Sequence, residues 1–336
     1  MAKAAIGITA APNNTVYRPG QARGHYESFF LRANHPDKPL AFWIRYTIFS
    51  PQGHPEKAIG ELWAVYFDGE NKVNTAVKKE VPFSQCSFSS TGLDNRVGEA
   101  FLKPDSLAGS ASANHHEISW ELGYSGAEKP LFLLPLKMYA AGFPRAKSCV
   151  PLPLASFNGV LRVDGREVRI ENWVGSQNHN WGSKHTDLYA WGQVAGFENS
   201  PGSFLEVATA KVRIGPFWTP RMTTVVLRHR GKEYALNSTT QMLYAHGEFG
   251  YFHWQFGSIT DEIGISGRMW ADRSHFAGLN YYNPPGGSKH CLNTKLAACH
   301  LKLTLPNGAS EFLATDHRAA FEILTDKKDH GIQIQV

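Results

Sequence analysis

The chain has 336 residues, 42% hydrophobic, 19% charged and 12% aromatic, nine of them tryptophan; that is the composition of a folded globular chain with room for two domains, and it excludes a disordered one. Its net charge of +5 comes from 34 Lys and Arg against 29 Asp and Glu, with no basic run dense enough to track a phosphate backbone, so nucleic-acid binding is disfavoured. No stretch approaches the roughly 18 apolar residues of a spanning helix, and no stable membrane insertion is expected.

Four cysteines, Cys86, Cys149, Cys291 and Cys299, form no CxxC pair. They read as reduced, mostly buried thiols of a cytoplasmic protein, and no metal site is expected. The opening MAKAAIGITAAPNNT has no continuous apolar core and does not read as a signal peptide.

Strand signals dominate. Residues 25–32 (HYESFFLR), 41–50 (AFWIRYTIFS) and 61–68 (ELWAVYFD) come first, with weaker signals at 97–103 and 117–124. Pro and Gly then cluster over 130–153. This stretch marks the expected interdomain crossing and divides the chain into domains 1–150 and 151–336. Strands resume at 157–163 and 167–173, followed by a glycine-bounded loop through Gly175 and Gly182. Beyond it lie strands at 189–197, 204–212, 223–229, 233–236, 251–256, 262–271, 296–305 and 318–324. Between 271 and 296, Tyr281 to Gly287 reads as a rigid aromatic turn. No segment shows a capped 3.6-residue period. The fold class is therefore all-β: two antiparallel sandwiches or barrels.

Several strand faces carry charge among apolar residues. Glu27 shares a face with His25, Phe29 and Leu31, and Glu61 with Trp63, Val65 and Phe67; Arg45 shares one with Trp43 and Thr47. Buried, such groups must be paired, and Arg45 with Glu61 or Glu27 is the economical pair. The other reading is a carboxyl whose pKa is raised among aromatics, a proton donor. Glu206, between Phe204 and Ala208, poses the same question. In 189–197 one face is bulky (Tyr189, Trp191, Gln193) and the other nearly bare (Ala190, Gly192, Val194). The bare face suits either close sheet packing or the approach of a ligand.

The 175–185 loop, GSQNHNWGSKH, gathers Gln177, Asn178, His179, Asn180, Trp181 and His185. Donors, an imidazole and an indole in one place suit the rim or floor of a pocket. Nucleophilic and nucleotide chemistry find no motif: there is no GxSxG and no GxxxxGK[ST].

Three segments, YESFFLRA at 26–33, AFWIRYTI followed by GELWAVYFD, and NHNWG at 178–182 leading to YAWGQVAGF, carry a resemblance. They resemble the two-domain calycin-like family of carotenoid hydratases, tocopherol cyclases and AttH-like proteins. The resemblance implies two lipocalin-like β-barrels side by side. It also implies cofactor-independent lyase or cyclase chemistry, and a pocket at or beside the domain interface near His179–Trp181.

The expected function is a cofactor-free hydration, dehydration, isomerisation or cyclisation of a hydrophobic, isoprenoid- or polyketide-like small molecule. His179, Glu27 or Glu61 would move the proton, and Asn180 and Asn178 would orient a hydroxyl, a water or the imidazole. Trp181, Trp191 and Trp63 would offer faces to a cation. Tyr26, Arg45, Gln193, His185 and Glu206 complete the expected substrate contacts. The alternative is a carrier of lipophilic ligands without chemistry.

Overall fold

The computed structural model describes residues 10–336; residues 1–9, the start of the segment read for a signal peptide, lie outside them. The first half of the chain builds one antiparallel sheet. Its strands are β1 (His25–Asn34), β2 (Leu40–Ser50), β3 (Ile59–Asp68), β4 (Val73–Pro82), β5 (Cys86–Phe88), β6 (Asn95–Val97), β7 (Ala100–Leu102), β8 (Ser106–Ala113), β9 (His116–Ser125), β10 (Leu131–Phe132), β11 (Ala146–Val163) and β12 (Arg166–Gly182), with the short helix α1 (Leu136–Ala140) before β11. The order across the sheet is β4-β3-β2-β1-β12-β11-β9-β8-β7-β6-β5.

The second sheet contains β13 (Leu188–Phe197), β14 (Ser200–Lys211), β17 (Met222–His229), β18 (Lys232–Leu236), β19 (His246–Phe249), β20 (His253–Ile259), β21 (Gly264–Trp270), β22 (Ala277–Tyr282), β23 (Ser288–Thr304) and β24 (Ser310–Thr325). A small hairpin, β15 (Arg213–Ile214) with β16 (Phe217–Trp218), and the helix α2 (Thr239–Tyr244) project from it. The fold is all-β, two large antiparallel barrel-like sheets side by side.

Each sheet wraps its own core. Phe29, Ile44, Tyr46, Trp120, Phe157 and Trp173 fill the first, and Val194, Leu205, Trp254, Phe256 and Phe321 the second. A third apolar cluster lies between them, where Phe30, Trp43, Trp63 and Phe67 meet Leu279, Tyr281, Cys291 and Leu324. Strands β1 to β3 therefore bury both faces. That is why all ten residues of β1 are buried although their pattern includes His, Glu, Ser and Arg.

Two sequence expectations change here. The boundary does not fall at residue 150, because β11 and β12 both belong to the first sheet and the chain crosses over at 183–187. The prolines of the 130–153 cluster do not end the sheet. Pro151 and Pro153 sit in β11 at two register shifts against β12, between Cys149 and Leu152 and between Leu152 and Ala155. A residue without an N–H is tolerated at such bulges.

The supposed loop 175–182 is strand. It pairs with β1 from Val174↔Asn34 to Gly182↔Tyr26. The glycine at its start serves close approach rather than a turn: a Cβ on Gly175 would stand 1.7 Å from the Arg32 carbonyl oxygen. Gly175→Ala is expected to force β1 and β12 apart and to cost about 3 kcal/mol, read as a lower urea midpoint at unchanged slope. The bare face of β13 resolves in favour of close packing, since a Cβ on Gly192 would meet Met269 at 2.7 Å and Trp254 at 3.0 Å in the second core.

Candidate functional site

Side chains on a strand alternate between faces, so each strand at the seam sends every second residue toward the other barrel. A cavity of about 350 Å³ remains between them. Tyr26 and Phe30 of β1, Trp43 and Arg45 of β2, and Asn178 and Asn180 of β12 form the first wall. Tyr189 and Trp191 of β13, Glu206 of β14 and Glu322 of β24 face them. The mouth is apolar: Met138, Phe143, Met242 and Leu243 line it, and Phe143 and Leu243 are each 48% exposed, which opens it to solvent.

Glu206 is the carboxyl in this cavity suited to hold a proton near neutrality. Its Oε1 accepts from Trp191 Nε1 (2.8 Å) and its Oε2 from Gln193 Nε2 (2.7 Å). Burial pushes its pKa up to about 7, against the two hydrogen bonds and the charge of Arg32, while the charge of Glu322 raises it further. Gln193 is locked from behind: its Oε1 accepts from Arg32 Nε (2.8 Å) and Ser176 Oγ (2.6 Å), and its Nε2 also donates to Asn178 Oδ1 (2.8 Å). The acid thus sits in a fixed frame that spans both barrels.

Arg45 does not make its expected pair. Glu61 is held by Lys78 (2.7 Å), and Glu27 points to the opposite face of the sheet, one residue out of phase with Ser28 and Phe30. Arg45 instead donates from Nε and Nη2 to Ser28 Oγ (2.8 and 2.6 Å) and lies 4.4 Å over the Tyr281 ring. Beside it His185 stacks on Tyr26 with ring centroids 3.9 Å apart. Burial, with the charges of Arg45 and Lys289, drives the His185 pKa down to about 3, so the ring is neutral. Glu322 accepts from Asn293 Nδ2 (2.9 Å) and Lys295 Nζ (2.8 Å).

Of the thirteen residues expected at a site, Tyr26, Arg45, Asn178, Asn180, His185, Trp191 and Glu206 line the cavity. His179, Glu27, Glu61, Trp63, Trp181 and Gln193 do not. Gln193 lies one layer behind, and Trp63 is buried between Trp43 and Tyr281. Trp181 packs against Tyr139, Cys149 and His179 on the reverse face of β12.

His179 and Glu27 sit on that reverse face too, because they alternate with Asn178, Asn180, Ser28 and Tyr26. His179 stacks on Phe29 at 4.2 Å. Its Nε2 donates to Glu27 Oε1 (2.8 Å) and its Nδ1 to the Pro12 carbonyl (2.7 Å), leaving no ring nitrogen for a substrate. Glu27 also accepts from Thr15 Oγ1 (2.9 Å), the backbone of Val16 (2.8 Å) and Tyr17 (2.9 Å), and His25 Nε2 (2.9 Å). Burial alone would raise its pKa, but the hydrogen bonds and charges of His179 and His25 outweigh burial and hold it at about 2. Glu27 is a buried anion that fastens residues 15–17, not a poised acid.

The cavity also holds residues that the sequence reading did not single out as site residues: Tyr189, Tyr281, Trp43 and Glu322. Glu322 carried the same signal as Glu206, a carboxyl in an apolar alternation. Tyr281 belongs to β22 and is 4% exposed; the Pro and Gly after it disguised the strand as a turn. Among the described residues, no group of three or more His, Cys, Asp or Glu is placed to hold a metal, and no helix is long and apolar enough to cross a membrane.

No protein-family model matches the chain, and no curated protein matches it in sequence. Solved structures do match. An AttH-like protein of Nitrosomonas europaea shares 11% identity and a TM-score of 0.57, over 94% of this chain and 98% of that one. Kievitone hydratase from Nectria haematococca shares 10% and 0.54, over 92% and 91%. CghA shares 13% and 0.55, over 96% of each chain. At these identities the likeness is one of fold, and it extends over nearly the whole two-barrel arrangement.

Proposed function

We propose that the protein is an enzyme that binds a hydrophobic small molecule between its barrels and transforms it by proton transfer. The reaction class is hydration or dehydration, isomerisation or cyclisation, and Glu206 is the proton donor. One observation carries this reading: a buried carboxyl with a pKa near 7 faces an aromatic-lined cavity. Protonating an alkene or an enol needs an acid that still holds its proton near neutrality. The cation that follows needs a dry site with aromatic faces, and Phe30, Trp43 and Trp191 supply them. Asn178 and Asn180 are placed on the same wall to hold a hydroxyl or a water.

The likeness in fold to a hydratase supports the reaction class. An isoprenoid or polyketide-like skeleton is the substrate class that an apolar cavity of this size suits. A passive carrier needs the same cavity but not a neutral carboxyl in it, so Glu206 favours the enzyme. The reading invokes no cofactor.

The test begins with native mass spectrometry and organic extraction of the purified protein. A retained apolar molecule names the compounds to assay. Turnover is then expected to be full on the acid side and to fall as pH rises through about 7, because the protonated form of Glu206 is the active one. A profile that is flat between roughly pH 5 and 9 would remove Glu206 as the donor.

A further inference from the structure

Arg45 makes no direct ion pair with a carboxylate of the described residues, a feature that the proton-transfer reading leaves unused. Its side chain lines the cavity, yet the residue is only 4% exposed. Two of its three nitrogens share a single neutral acceptor, Ser28 Oγ, which also contacts Thr47 Oγ1 (3.1 Å). Among the described residues no carboxylate lies within ion-pair distance. The two nearest in effect are each engaged by a lysine, Glu61 by Lys78 (2.7 Å) and Glu322 by Lys295 (2.8 Å). The rings of Tyr281 (4.4 Å), Trp43 (5.8 Å) and Trp63 (5.9 Å) surround the guanidinium. Ring faces compensate a buried cation only in part, and a guanidinium does not escape the cost by losing its proton.

The donors around it are also little used. Tyr26, Tyr189 and Tyr281 line the same cavity, and all three phenols lie close enough to Arg45 to interact with its charge. The hydroxyls of Tyr26 and Tyr189 have no hydrogen-bond partner among the described residues, nor has Arg45 Nη1. The Tyr281 hydroxyl meets only the Cys291 sulfur, a weak acceptor. His185, stacked on Tyr26 and tilted against Tyr281, is neutral and contributes no competing charge. One pole of the cavity thus holds a buried cation without a direct ion pair and three under-used O–H donors, and the carboxylate in the same wall, Glu322, is engaged by Lys295.

We infer that this pole is the seat of a substrate carboxylate, so that the ligand is a hydrophobic carboxylic acid anchored at Arg45 with its apolar body running toward Glu206. A carboxylate offers two oxygens and about four lone-pair sites, enough for the guanidinium and the phenols together. An alcohol or a ketone offers fewer and carries no charge. The inference rests on the reading that the cavity takes a hydrophobic small molecule, and it adds which chemical group that molecule carries.

The test is displacement of Nile red, a neutral apolar dye, by decanoate and by decanol near pH 6.5, where the acid is ionised and Glu206 largely retains its proton. The intact protein is expected to prefer decanoate by about tenfold or more. Arg45→Gln is expected to erase the preference while decanol affinity stays within about threefold, and Arg45→Lys to keep part of it. Thermal melts check that each variant folds; should Arg45→Gln fail to fold, the preference of the intact protein decides alone. Equal affinity for decanol and decanoate, or a preference that survives Arg45→Gln, overturns the carboxylate seat and leaves the cavity reading standing. Failure of the protein to bind Nile red or either ligand overturns both.

Discussion

Glu206→Gln is expected to cut the proposed turnover by about two to four orders of magnitude while the fold and the cavity persist. The substitution keeps volume and polarity but removes the proton that the reaction needs. General acids of this kind contribute about 10²–10⁴-fold, and a loss of that size in kcat is expected. Affinity for the retained apolar ligand should change little, because the carboxamide would still fill the same place in the wall. Folding should survive with some loss of stability: the carboxamide is as neutral as the protonated carboxyl, but its NH2 must face one of the two donors, Trp191 Nε1 or Gln193 Nε2. The Glu206 pKa is raised from 4.5 to about 7. The neutral carboxyl therefore contributes stability that is fully present below pH 4.5 and is lost as pH rises through about 7. The variant lacks that titration, so its stability should vary less over this window than that of the intact protein. A variant that binds and folds but keeps more than about a tenth of the activity would show that another group carries the proton.

Glu27→Ala should act in the opposite manner, on stability first. Glu27 is the acceptor for five donors, two of them imidazoles, and it is fully buried. Its removal leaves buried donors and the His179 ring without their acceptor. Breaking a buried pair on one side typically costs about 3–5 kcal/mol, and a loss in that range is expected from urea denaturation. The pH dependence has its own signature. The Glu27 pKa falls from 4.5 to about 2 on folding, so its contribution, about 3 kcal/mol, is present above pH 4.5 and is lost as pH falls through about 2. Glu27→Ala should accordingly flatten the acid limb of the stability curve. If instead it folds as well as the intact protein and loses turnover, Glu27 belongs to the chemistry and the fastening role is mistaken.

The contrast between these two carboxyls shows what a one-dimensional pattern conveys. Both stood as charges among apolar residues on strands, and for both the pattern left open a paired anion or a carboxyl with a raised pKa. Whether burial raises or lowers a carboxyl pKa depends on how many donors reach it. Glu206 receives two, from Trp191 and Gln193. Glu27 receives five, three of them from residues 15–17, which sit outside any strand signal, and a fourth from His179, 152 positions away. Nothing in the local alternation distinguishes these cases.

The same limit applies to the NHNWG segment. Its richness in donors was visible, and so was its link to the strand at 189–197. Pairing with β1 turned it from loop to strand, and the period of two then divided its residues: Asn178 and Asn180 went to the cavity, His179 and Trp181 to the reverse face. The crossing point moved for a related reason, since long-range pairing of β11 with β12 overrode the Pro and Gly signals of 130–153.

The class is legible along the chain: strand-rich alternation with short turns and an aromatic load that two barrels can bury. Which strands carry charge on an apolar face is legible too, because alternation is a local property. Packing between strands sets which face of each strand meets the other barrel, which way burial moves each carboxyl pKa and that Arg45 meets a serine and not a carboxylate. Each of these depends on partners brought together from distant strands, and hydrogen bonds and desolvation act through space rather than along the chain.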